Sequence, residues 1–80
     1  MNKNLTVQNV GILFELGFNV SGVNIGDLPN RFIRVNGSVT TRITFWANDI
    51  IQVNFNGQPD STLVNTFTAA MDLISWKLRN

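Results

Sequence analysis

The sequence predicts an α+β fold: a helix, an antiparallel three- or four-stranded meander and a second helix, following one another in a single domain of residues 1–80. Three observations predict it. Apolar residues recur at spacings of three and four near both ends of the chain, whereas between Arg31 and Phe55 they alternate with polar ones. Asn36-Gly37 and Ala47-Asn48-Asp49 interrupt that alternation where hairpin turns belong. Eighty residues are also too few for two cores, because a chain of this size buries only about 60% of the surface it exposes when unfolded.

The first helix is expected over Asn4 to Phe18, with Val7, Val10, Phe14 and Phe18 on its core face. Leu5, Ile12 and Leu16 fall on roughly the opposite side, since each residue advances about 100° around the axis. A helix apolar on two sides needs two partners. Residues 19–25 read equally as a short edge strand or an extended loop, because Gly22 interrupts the run.

Arg31 to Val35 is the first strand. A two-residue Asn36-Gly37 turn would place Ile33 on the face opposite Val39, Ile43 and Phe45. The apolar pattern therefore favours a three-residue Val35-Asn36-Gly37 loop, with Gly37 left-handed in a bulge and Ile33 beside Val39. By the same parity, an Ala47-Asn48-Asp49 loop pairs Phe45 with Ile51 and Ile43 with Val53. Ile33, Val39, Ile43, Phe45, Ile51, Val53 and Phe55 then form the inner face, while Phe32, Arg34, Arg42, Thr44, Trp46, Ile50, Gln52 and Asn54 share the outer one.

The second helix is expected to start near Asp60 or Ser61, either of which can cap it, with Leu63, Val64, Phe67, Ala70, Met71, Ile74 and Leu78 as its core stripe. Lys77 and Arg79 suit the negative end of its dipole. Ala69, Leu73 and Trp76 lie outside that stripe. Both helices are expected on one sheet face, giving a two-layer sandwich.

Composition narrows the function. There is no cysteine or histidine, so neither a disulfide framework nor the usual zinc ligands exist, and no metal or cofactor is expected. Without tyrosine as well, acid–base chemistry would fall to five scattered carboxylates and two lysines, so an enzyme is not expected. Charged residues make up 14% of the chain against roughly 25% on average, with net charge +1, so the surface must be largely amide, hydroxyl and apolar. Asparagine, from Asn2 and Asn4 onward, is scattered through periodic segments and reads as compositional bias. The N-terminal stretch makes a poor secretion signal and no apolar run approaches a membrane span, so a cytoplasmic protein without a membrane partner is expected.

Leu5, Ile12 and Leu16, Trp46 and Ile50, and Leu73 and Trp76 are more apolar surface than one two-layer domain easily hides, and clustered apolar surface marks association. Together with Phe32, Arg34 and Arg42 they are the candidate partner-binding residues of a self-associating domain, a homodimer or a binder of another protein. Phe32, Trp46, Arg34 and Arg42 on one face also support an alternative, a weak single-stranded nucleic-acid binder.

The helix, three strands, helix order resembles the double-stranded-RNA-binding domain, which holds phosphates with a basic cluster at the start of its last helix. The matching segment here, PDSTLVN, has Asp60 and no lysine or arginine, so no residue role carries over. As one small domain of a meander and helices, the chain also resembles compact phage-encoded inhibitors, some anti-CRISPR proteins among them, although many of those are strongly acidic and this chain, at +1, is not. That likeness implies a small inhibitor or adaptor of phage or mobile-element type and assigns no residue.

Overall fold

A computed structural model describes residues 2–21, 29–56 and 61–79. Residues 22–28, the expected cap Asp60 and the side chains of Leu78 and Arg79 lie outside what it describes. The elements are α1 (Val7–Glu15), β1 (Asn19–Val20), β2 (Arg31–Asn36), β3 (Val39–Phe45), β4 (Ile51–Phe55), β5 (Thr62–Val64) and α2 (Phe67–Arg79). The strands form one antiparallel sheet in sequence order, so the meander has five strands instead of three or four. Val10 and Leu13 of α1 join Ala70 and Ile74 of α2 in the same core cluster as Phe32, Ile43, Phe45, Ile51, Val53 and Phe55. Contacts place α2 over β4 and β5, and an edge-to-face contact joins Phe14 of α1 to Phe32 of β2.

Helix α1 is shorter and rotated relative to the expected one. Thr6 caps it by accepting a hydrogen bond from Asn9 N, and Leu16 ends it. Gly17, at φ +95°, then turns the chain: its N–H donates to Phe14 O at 3.0 Å and the next N–H, of Phe18, donates to Leu13 O at 2.9 Å. This is a Schellman ending, whose apolar signature is the burial of Leu13 and Phe18 together. Phe18 is thus a core residue from beyond the helix. Leu13 replaces Phe14 and Val7 as the inward position, and Val7 is left 75% exposed.

The β2–β3 register also corrects the expectation. Asn36 pairs with Val39 around a two-residue Gly37-Ser38 loop, and Gly37 at φ +62° in the first loop position suits a type II′ turn. Phe32 therefore pairs with Ile43 and is 1% exposed on the inner face, while Ile33 pairs with Arg42 on the outer one. Arg34 likewise moves to the inner side, opposite Thr41. RFIRV is apolar in both parities, and the larger aromatic wins the core, meeting Phe14 and Phe45 edge-on. The β3–β4 hairpin has the expected register, with Phe45 opposite Ile51 and Ile43 opposite Val53.

Residues 62–64 form β5 instead of opening the last helix. Val64 pairs with Ile51 on the inner face, Leu63 pairs with Gln52 on the outer one, and α2 begins only after Thr66, whose hydroxyl accepts from Ala69 N at 3.1 Å. With the order helix, five strands, helix, the chain departs from the three-stranded double-stranded-RNA-binding arrangement.

Three asparagines close the structure. The Asn2 side chain donates to Trp46 O at 2.7 Å and Ile50 O at 2.9 Å, tying the N-terminal segment to the β3–β4 hairpin. Asn4 donates to Asp49 O and Asn65 O, both at 3.2 Å, and accepts from Phe67 N, the first amide of α2, while its backbone N–H donates to Asn2 Oδ1. The Asn9 side chain completes the clamp on Asn4 O at 2.8 Å. Asn2 and Asn4 are buried, so these residues are a built polar lock and not compositional bias.

Candidate binding surfaces

Two surfaces remain after the core is assembled. The first is the outer sheet face, on which alternation places Arg31, Ile33, Val35, Arg42, Trp46, Gln52, Asn54 and Leu63. Trp46, 45% exposed, is held in place: its Nε1 donates to Gln52 Oε1 at 2.7 Å, and the Arg31 guanidinium stands 5.9 Å from the ring centroid. The Gln52 amide donates in turn to Ser61 Oγ at 2.8 Å, and the Asn54 amide donates to the same oxygen at 3.1 Å. A cross-strand polar network therefore fixes the tryptophan as a rigid platform.

The second surface is α1. Val10 and Leu13 point inward, so Val7 and Phe14 fall on one flank and Ile12 and Leu16 on the other, all four exposed. Gln8 and Glu15 lie outermost between the flanks, and Glu15 is the helix's one charge.

Of the residues singled out from the sequence, Arg42 and Trp46 are exposed on the outer sheet face, with Ile50 half-buried beside the Trp46 end of the β3–β4 hairpin. Ile12 and Leu16 are exposed on α1, and Trp76 is exposed on α2. The others are corrected. Phe32 is core, Arg34 is half-buried on the inner side near the Gly17 turn, and Leu5 and Leu73 are partly buried against the core. Sequence reasoning missed Arg31, Ile33, Val35 and Leu63 on the sheet face and Val7 and Phe14 on the helix. The available signal was the second parity of RFIRV, whose choice decides all of the first strand's side chains at once.

The described carboxylates do not converge: Glu15 is on α1, Asp49 pairs with Lys3 at 3.9 Å in the β3–β4 loop, and Asp72 is on α2. No helix among the described residues is long and apolar enough to cross a membrane. No family model, curated protein or solved structure matches this chain.

Proposed function

We propose that this protein is a non-catalytic, cytoplasmic binding domain that self-associates through α1, in the manner of a small inhibitor or adaptor. The observation that carries the reading is the exposure of Val7 and Phe14 on one flank of α1 and of Ile12 and the C-cap residue Leu16 on the other. Clustered apolar side chains of this kind mark an association surface, whereas isolated ones do not. A second copy is the occupant favoured by charge. The chain carries only +1 overall and α1 only Glu15, so two copies approach with little repulsion and can bury the flank of Ile12 and Leu16 against itself about a two-fold axis.

The expected dimer is weak. A standard interface takes about 800 Å² from each partner, about a seventh of the 5267 Å² that this chain exposes, and a short helix alone supplies only part of it. Light scattering over a concentration series tests the proposal. The average mass should rise toward that of a dimer at hundreds of micromolar, change little with salt, and fall back to the monomer for Ile12→Asp, whose circular dichroism should stay unchanged. A wild-type chain that remains monomeric throughout would overturn it.

A further inference from the structure

Among the described residues, the outer sheet face carries cations and no carboxylate. Arg42 stands exposed in mid-face between Ile33 and Asn54, and Arg31 lies on the same face beside Trp46. The one ion pair among the described residues joins Lys3 to Asp49 and includes neither arginine, and none of the described side chains on that face is a carboxylate. An uncompensated guanidinium on an open surface attracts anions.

Beside Arg42 lies a hollow of about 180 Å³, lined by Thr40, Arg42, Asn54 and Asn56. Both amides are anchored, Asn54 by its bond to Ser61 Oγ and Asn56 by donating to Ser38 O at 2.7 Å. Each keeps a second N–H for a ligand. A guanidinium, a hydroxyl and two amide donors around one small hollow match the donor demand of a phosphate group. Trp46 lies four residues further along the chain, just past the end of β3 and on the same face, about 13 Å away at 3.3 Å per residue.

We propose that this face binds single-stranded nucleic acid, with a phosphodiester in the Arg42 hollow and a base stacked on the platform of Trp46 and Arg31. The pairing of the two features selects this ligand. An acidic peptide would use the arginines but has no need of a rigid aromatic plane, whereas every base offers a ring to stack. Among the described residues both helices pack on the inner face, so neither covers this one, and the surface is separate from the α1 flanks used for self-association.

The test is fluorescence anisotropy of a labelled oligothymidylate of about ten nucleotides, titrated with the full chain between about 50 and 200 mM salt. The one arginine–phosphate contact, at Arg42, predicts a log–log salt slope of about −0.7, and Arg42→Ala should bring it close to zero. Trp46→Ala should weaken binding roughly tenfold, with partial recovery in Trp46→Phe, and circular dichroism should report intact folds. Measurement in the Ile12→Asp background should give the same affinity, which separates this reading from self-association. No binding at the lowest salt, or an Arg42→Ala variant that binds like the wild type, would overturn the proposal. Equal competition by inorganic phosphate would reassign the hollow to free anions, and equal competition by polyglutamate would reassign the face to an acidic protein, so either result defeats it.

Discussion

Replacing Asn4 by alanine removes three side-chain hydrogen bonds at once: those donated to Asp49 O and Asn65 O and the one accepted from Phe67 N. All three are 3.2 Å long, so each is assigned the ordinary net value of about 1 kcal/mol and no more. The site is buried, which leaves the freed carbonyls and the first amide of α2 poorly placed to regain water. The expected loss is therefore about 2–4 kcal/mol. A domain of this length holds about 4–12 kcal/mol in all, so a large share of its stability rests on one side chain. Urea unfolding followed by circular dichroism should show a lower midpoint at unchanged slope. The melting temperature should fall by about 10–30 °C. Asn19→Ala, at an exposed edge-strand position, should stay within about 0.5 kcal/mol of the wild type. If Asn4→Ala costs no more than that control, water replaces the lock and the reasoning is wrong.

Two further predictions concern the corrected elements. Phe32→Ala should cost about 3–5 kcal/mol and Ile33→Ala far less; equal costs in chemical unfolding would mean that the β2–β3 register is wrong. Gly17→Ala should lose about 1–2 kcal/mol because φ is +95°, although the added carbon would stand 3.6 Å from Arg34 Nε, an ordinary contact. A neutral result in the same assay would remove the Schellman ending as a source of stability.

The parts of the fold that could be read from the sequence are those where one parity alone was apolar. Ile43, Phe45, Ile51 and Val53 admit a single register, and the structure has it. RFIRV admits two, because Phe32 competes with Ile33 and Val35, and nothing local ranks a phenylalanine above two β-branched residues. The choice is made by Phe14 and Phe45, which are distant in sequence. Thr62 to Val64 failed for a related reason. Three residues are too few to display a period, so Leu63 and Val64 matched the helical stripe that follows them. The asparagine lock was invisible because an amide can serve a turn, a cap or the solvent equally well. Of the candidate binding residues, Arg42 and Trp46 were legible because they belong to the β3–β4 hairpin, whose register was unambiguous, while Arg31 was lost with the first strand.

The asparagine lock also bears on the order in which the chain assembles. Every strand pairs with its neighbour in sequence, so the sheet can grow hairpin by hairpin at a small entropic cost for each closure. The contacts from Asn2 to Ile50 and from Asn4 to Phe67 span 48 and 63 residues, and they need both the finished β3–β4 turn and the start of α2 in place. They belong on the native side of the folding barrier. Breaking them should leave the folding rate nearly unchanged and raise the unfolding rate, so the three asparagines act on how long a folded molecule lasts more than on how quickly it forms.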